Sequence, residues 1–431
     1  MGDIETIASK TLLALKQNKI KLYELEEYIM EKFYNNEYKH VAIVTMIAED
    51  CRRNFLEEEL GIKLPKIRAA NINIAVKKEN LILKGIENKI GCITIPLGIA
   101  GPLKINAKHT TNSNYIPLAT NEAALIAGLQ KGIKICNIAG GVSVILKYNG
   151  ITRSILVETE SMQNTMKLSE QLNSQSTIVQ LQQHIEEHAE YTKLLKLTTH
   201  QIANKLWIRF SFDTSEAMGM NSATKYSVLL FEKIKSIFSE FSPQLVSLSG
   251  NLCVDKKVSY ANILLGRGYE LHAQVIIDEK ILIETYNCTI ELLHKLNYWK
   301  NYIGSSLAGA ISNNAHAANI IAAIFAATGQ DLAQLGEASI CFTTTEVKDK
   351  KLYFSITLPS LPLGTIGGGC NKATAEECLN ILQCNKKDNN NTKRLAEIIA
   401  ATVLCSELNL LATLTNETEL ADSHIRLARG E

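Results

Sequence analysis

Apolar positions in the first 60 residues recur at helical spacing. Ile7, Leu12, Leu13 and Leu15 predict one helix, residues 38–60 predict a second, and Pro65 closes the block. Over 72–108 the pattern shortens to β-like runs, LILKGI and GCITIPLGIAGPL, broken by Gly and Pro. Helical spacing returns at Ala123, Leu125, Ile126, Leu129 and Ile133, with Thr120 as its expected N-cap. The strand VSVILKY follows Gly140-Gly141. Residues 155–245 begin polar and Gln-rich, then read strand, helix, strand through WIRFSFD and a helix after Met220, as an inserted domain would. Beyond them come the polar loop SGNLCVDKK, mixed strands, an Ala-rich helix over 315–327 and the strand LYFSITLPSL. The turn GTIGGGCN, an Asn/Lys segment expected to be flexible at 385–393 and a last apolar helix complete the chain.

A length of 431 residues suggests two or three domains, and 46% hydrophobic with 21% charged residues is ordinary for a soluble enzyme. With 45 basic against 44 acidic side chains, no long basic surface is expected to track nucleic acid. No stretch reads as a bilayer span, and the charged, amphipathic N-terminus lacks the apolar core of a secretory signal. Ten cysteines are scattered with no CxxC pair, which fits reduced, mostly buried thiols in a cytoplasmic protein.

Few residues are placed to do chemistry. Glu122 is expected in the first turn of the helix after Thr120, where the dipole favours its ionised form, so proton donation there requires an acidic neighbour. Asp255-Lys256-Lys257 follow Ser249-Gly250-Asn251. Either this is a solvated loop, or its hydroxyl, amide, carboxylate and ammonium groups hold a carboxylated substrate and set a lysine on a developing oxyanion. Asp331 ends an almost wholly apolar helix and needs a partner, Lys256 or Glu122 in a functional reading and an ordinary ion pair otherwise. His316 and Asn319, one turn apart, could face the same cavity, and His424 matters only if the tail folds over a site. Gly367-Gly368-Gly369 permit close approach of a phosphate but are equally a plain turn. No GxGxxG fingerprint is present. His184 and His188 fit the H-x-x-E-H zinc pattern, yet lie in a Gln/Glu-rich amphipathic stretch with no evident third ligand and read as a solvated helix face.

In order along the chain stand ENKIG, IPLGIAGPL, PLATNE, NGITR, EAMGMN, SGNLCVDKK, NNAHAANI, ATGQD, GTIGGGCN and DSHI. Together they resemble the 3-hydroxy-3-methylglutaryl-CoA reductase family, class I type, over about residues 87–424. The resemblance implies an α+β fold with a large domain (87–154 and 247–431) around a central helix, behind a mainly helical 1–86. It also implies an inserted ferredoxin-like nucleotide-binding domain at 155–246. The reaction it implies is two hydride transfers from NADPH or NADH, taking the acyl-CoA thioester to mevalonate without metal or flavin. Lys256 would stabilise each oxyanion, Asp331 would tune Lys256 and Glu122, Glu122 would donate the proton and His424 would protonate the CoA thiolate. Arg153, Ser249, Asn251, Asp255, Lys257, His316 and Asn319 match substrate-holding positions, and Lys131 and Lys134 replace arginines that meet CoA phosphates. Glu216, Met218, Gly219, Met220 and Asn221, with the glycine turn, match the nicotinamide side, although the family usually has Asp where Glu216 stands. Its arginine for the 2′-phosphate becomes Glu190, beside Tyr191, so NADH is the expected cofactor. The family implies sites formed across a homodimer, or within a dimer of dimers. A catalytically inactive CoA-binding protein on the same fold, or zinc hydrolysis at His184 and His188, are the competing readings.

Overall fold

The structure is a computed structural model that describes residues 2–22, 24–37, 40–59, 63, 87–88, 90–110 and 113–416. It divides into two units, Met1–Pro96 and Leu97–Glu431. Pro65, the LILKGI run, Lys89 of ENKIG and the tail segment DSHI with His424 lie outside the described residues.

Among the described residues of the first unit the helices are α1 (Gly2–Lys16), α2 (Leu25–Tyr34) and α3 (Val41–Glu59), three where spacing predicted two. The additional helix, α2, ends on Asn35, whose left-handed φ of 48° suits an asparagine. Leu15, Leu25, Ile29, Val44 and Ile47 share a small core. Buried Arg52 closes it by pairing with Glu26 and donating to the Leu22 carbonyl at 2.9 Å.

In the second unit β1 (Leu97–Leu103) pairs with β3 (Asn114–Ala119), and β2 (Ile105–Asn106) lies beside β4 (Val142–Glu158), after helix α4 (Leu125–Ile138). Next come α5 (Met162–Leu172), α6 (Gln175–Glu186), β5 (Lys193–Ile202), β6 (Lys205–Asp213), α7 (Met220–Ile237) and β7 (Gln244–Ser247). Then follow α8 (Tyr260–Leu265), β8 (Gly268–Asp278), α9 (Glu279–Tyr286), α10 (Ile290–Leu296) and α11 (Ala317–Thr328). The unit ends with α12 (Leu335–Ala338), β9 (Phe342–Lys348), β10 (Lys351–Leu361), α13 (Ala373–Ile381) and α14 (Asn391–Leu414).

The long strand β4 serves two cores. Its first half pairs with β8 in the order β4-β8-β10-β9, and its second half pairs with β6 and β7. The register shifts at Tyr148/Gly150, at the start of NGITR, so Arg153 stands on the far half. There the order β5-β6-β4-β7, antiparallel throughout, is that of a ferredoxin-like split β-α-β sheet. Ile155, Leu168, Leu181, Phe210 and Leu230 give it a core of its own.

The larger core wraps α14, which is buried along nearly its whole length. Contrary to the expectation from sequence, α14 is long and apolar enough to cross a bilayer by length and composition; here it is a core helix. It approaches α4 so closely at Gly132 that a Cβ would sit 2.1 Å from the Cys405 carbonyl oxygen. The Asn/Lys segment before it is tied down rather than loose: Asn391–Lys393 already belong to α14, and Asn391 bonds Lys386 in both directions (2.7 and 2.8 Å).

Candidate active site

Lys256 and Asp331 meet. Their Nζ–Oδ2 distance is 2.9 Å, with both side chains part-exposed, 44% and 36%. The hydrogen bond to Asp331 holds the Lys256 ammonium above its ordinary pKa, against a smaller opposing effect of desolvation. Burial pushes Asp331 up, but the bonds from Lys256 and the Ala333 N–H outweigh it and leave the carboxyl below its ordinary value. Asp331 does not end the apolar helix as expected. α11 stops at Thr328, Gly329 turns the chain (φ 68°), and Asp331 caps the following short turn from a half-buried position.

The loop carrying Lys256 is wound tightly. Asn251, Val254 and Lys256 all adopt left-handed φ, 63°, 48° and 61°, an unusual demand on a β-branched valine. Ser249 is exposed on a turn closed through Ser247, and the Gly250 carbonyl accepts from Trp207 Nε1 at 2.7 Å. Lys257 bonds the Asp255 carbonyl, and the Asp255 carboxylate accepts from Arg267 at 3.0 Å and Gln334 at 2.8 Å.

Glu122 departs from expectation in two ways. Thr120 is not the helix N-cap: its hydroxyl accepts from the Glu122 N–H at 3.0 Å, Ala124 turns left-handed (φ 68°), and α4 starts only at Leu125. Glu122 therefore stands exposed before the helix, outside the first turn and its dipole. Its carboxylate accepts from Asn319 Nδ2 at 3.1 Å, and among the described residues no hydrogen bond joins it to Asp331. His316 sits beside Asn319 (3.4 Å) with Nε2 on the Ser406 carbonyl at 3.1 Å, while buried Glu407 accepts the Ala315 and His316 N–H groups at 2.7 Å each. Asn319 lies near the start of α11 and Asp331 just past its end. The rise from Asn319 to Thr328 alone is about 14 Å. One chain thus places Glu122 with His316 and Asn319 at one end of α11 and Lys256 with Asp331 at the other, rather than in the single cavity expected.

On the nucleotide side, EAMGMN and the glycine turn lie together: Ala217 bridges to Ile366, and Thr365 N–H donates to the Glu216 carbonyl at 2.8 Å. Glu216 itself is buried and points inward, a correction to its expected place facing a cofactor. Its carboxylate accepts from Thr365 Oγ1 at 3.0 Å, Thr392 N at 2.7 Å and Thr392 Oγ1 at 2.8 Å, so it caps α14. Glu216→Ala orphans these buried donors and is expected to cost about 3 kcal/mol; an unchanged urea midpoint would show the carboxylate to be dispensable for stability. Gly219, with left-handed φ, starts α7 with no side-chain cap, and Met218, Met220 and Asn221 surround that open N-terminus. Among the described residues, Gly367 and Gly368 have nothing within 4 Å of a would-be Cβ, whereas Gly369 packs against the Gly329 carbonyl. An uncapped helix start beside an open glycine turn fits the phosphates of a dinucleotide.

The remaining candidates are more scattered. Among the described residues, Arg153 Nε is buried with no hydrogen-bond partner, so it is free to donate to an anion. Lys131 Nζ lies 4.2 Å from the centre of the Tyr286 ring, and Lys134 is exposed on the same helix. Glu190 and Tyr191 occupy the exposed turn before β5, where the hydrogen bond to Glu190 raises the Tyr191 hydroxyl. His184, Glu187 and His188 bring their ligand atoms within 4.8 Å of one another at the end of α6, with His188 Nδ1 against the His184 carbonyl at 2.8 Å.

Sequence reasoning missed Arg267, Gln334 and Glu337. Arg267 and Glu337 are both fully buried and paired with each other, Glu337 accepts the Lys256 N–H at 3.1 Å, and Gln334 bonds both Arg267 and Asp255. A lone charge inside LLGRGY and inside LGEAS was the available signal, since a charge amid apolar residues must find a partner.

A lysine ion-paired with an aspartate on a loop of polar side chains, in an α+β protein whose glycine turn packs on Gly329 two residues before that aspartate, marks a candidate active site. The model of the family "Hydroxymethylglutaryl-coenzyme A reductase" matches residues 48–429. The 3-hydroxy-3-methylglutaryl-coenzyme A reductase of Methanocaldococcus jannaschii is 39% identical over 418 residues, 94% of this chain and 100% of that protein. That of Pyrococcus horikoshii is 38% identical over 94% of this chain and 96% of its own. Among solved structures, the class II reductase of Streptococcus pneumoniae bound to NADPH superimposes with a TM-score of 0.61 at 18% identity, covering 92% of this chain and 100% of that one. The chain belongs to the hydroxymethylglutaryl-coenzyme A reductase family.

Proposed function

We propose that this chain reduces 3-hydroxy-3-methylglutaryl-CoA to mevalonate and CoA with two reduced nicotinamide dinucleotides, in sites that two copies of the chain complete together. The observation that carries this reading is the 2.9 Å Lys256–Asp331 pair at one end of α11, with Glu122 on Asn319 at the other. The first group needs a proton donor and the second needs an oxyanion partner. A symmetric dimer can bring one chain's Glu122 to its partner's lysine.

The dinucleotide supplies a hydride when bound, and the α7 N-terminus, in a nucleotide-binding domain at 155–246, would hold it together with the turn Gly367-Gly368-Gly369 of the large domain. Lys256, kept charged by Asp331, donates to the carbonyl oxygen as negative charge develops there. Glu122 gives the proton to the aldehyde oxygen, and His424, outside the described residues, protonates the departing thiolate. Arg153, whose buried Nε is free to donate, holds the hydroxymethylglutaryl group together with Ser249, Asn251, Asp255, Lys257, His316 and Asn319. Lys131 and Lys134 meet the CoA phosphates as point charges. The Asp255-Lys256-Lys257 loop supports the class I type.

Glu190 favours NADH: an exposed carboxylate repels a 2′-phosphate and suits a ribose diol. A spectrophotometric assay with hydroxymethylglutaryl-CoA and each reduced dinucleotide tests both points. NADH should give the higher kcat/KM, and Glu190→Arg should shift the ratio toward NADPH by about tenfold, the worth of one charged hydrogen bond. A strong NADPH preference in the unaltered chain defeats the cofactor reading alone, whereas no oxidation of either dinucleotide defeats the proposed activity.

A further inference from the structure

The geometry points to the buried Arg267–Glu337 pair, with Asn262, as a positioning device that holds the Lys256 loop in its left-handed conformation and aims the lysine. This rests on the role of Lys256 proposed above.

Left-handed backbone at a valine and a lysine is strained and persists only where the surroundings over-determine it. The surroundings here are Glu337 and Asn262. One Glu337 oxygen accepts the Lys256 N–H at 3.1 Å, and the other accepts Asn262 Nδ2 at 2.9 Å. The same Asn262 amide reaches the Val254 carbonyl at 3.0 Å. The two strained residues are thus fixed from below by one carboxylate and one amide, both fully buried. Gly336 lets α12 lie against the loop, where a Cβ would be 3.0 Å from the Lys256 carbonyl oxygen.

Arg267 pairs with that carboxylate and extends its reach. Burial raises Glu337 to about 7 even against the lowering effect of the Arg267 guanidinium, and both side chains are fully buried, so removing one leaves the polar groups of the other uncompensated. The second Arg267 amino group bonds the Asp255 carboxylate at 3.0 Å and the Met220 sulfur at 2.9 Å. One side chain therefore ties the lysine loop to the start of α7, the two parts of the site that must meet across a carbonyl. Neither Arg267, Glu337 nor Asn262 needs to touch substrate.

The test uses the full-length protein with kcat expressed per dinucleotide-binding site, so that a smaller folded fraction lowers the number of sites and not the rate per site. Glu337→Gln is expected to lower kcat per site at least about tenfold, as an ångström-scale displacement of a catalytic group does, with KM for the dinucleotide within about twofold. The double variant Glu337→Gln/Arg267→Gln leaves no buried charge unpaired and is expected to fold while showing the same loss. A rate per site within about twofold of the unaltered chain in either folded variant overturns the proposal. Loss of fold in both marks the pair as purely structural and overturns it as well. Lys256→Ala in the same assay separates the two readings: if it turns over, the lysine's role fails; if it is inactive while the double variant is normal, only the positioning role fails.

Discussion

Lys256→Ala is expected to reduce kcat by about two to three orders of magnitude, the usual cost of deleting one preorganised oxyanion donor. The side chain's surroundings specify this size of effect. Its ammonium is 2.9 Å from Asp331, whose hydrogen bond raises the lysine above its ordinary pKa and so keeps it charged through neutral pH. Its backbone is fixed by Glu337, so the charge has little to reorganise when the carbonyl oxygen becomes negative. Lys257, one residue on, cannot substitute, because it turns back onto the Asp255 carbonyl at 3.2 Å. Measuring kcat with the reduced dinucleotide, alongside thermal unfolding, checks the outcome. The half-exposed pair contributes little to stability, so the fold should be retained. A variant retaining a tenth or more of the activity would remove Lys256 from the chemistry.

Much of this site is written locally in the chain, and the unread parts are the non-local ones. The Asp255-Lys256-Lys257 loop and Asp331 stand out in sequence because charges amid apolar runs demand partners, and the structure pairs Lys256 with Asp331. The same logic applied to Arg267 and Glu337 would have found the pair beneath the loop. The start of α4 was misplaced because Ala124 turns left-handed where no glycine or asparagine announces it. Glu216 was expected to face the cofactor side, and nothing local shows that Thr392, 176 residues away, draws its carboxylate inward. In the fold, the β4 pattern was legible as a strand, but its service to two cores depends on pairings with β6 and β8 that no periodicity records. The separation of Glu122 from Lys256 along α11 is likewise a property of the assembled sheet and helices.

That separation leads to the second large expected effect. Glu122→Gln and Lys256→Ala should each be nearly inactive alone, yet protein co-expressed from the two variants should recover about a quarter of the unaltered activity, by the statistics of a symmetric dimer with shared sites. Half of the randomly assorted dimers are mixed. In each mixed dimer, one site joins the intact Lys256 of the first chain to the intact Glu122 of the second, and the other site carries both lesions. The physical basis is that Glu122 bonds Asn319 near the start of α11 while Asp331 and Lys256 lie beyond its end. The rigid helix between them, about 14 Å in rise from Asn319 to Thr328, cannot fold one group onto the other within a chain. Mixing the separately purified variants after dissociation and reassociation should give the same recovery, whereas mixing them as intact dimers should give none until subunits exchange. If the co-expressed sample stays as inactive as its parents while light scattering shows mixed dimers, the two groups belong to one chain's site. The long side of α11 would then have to be bridged by substrate instead.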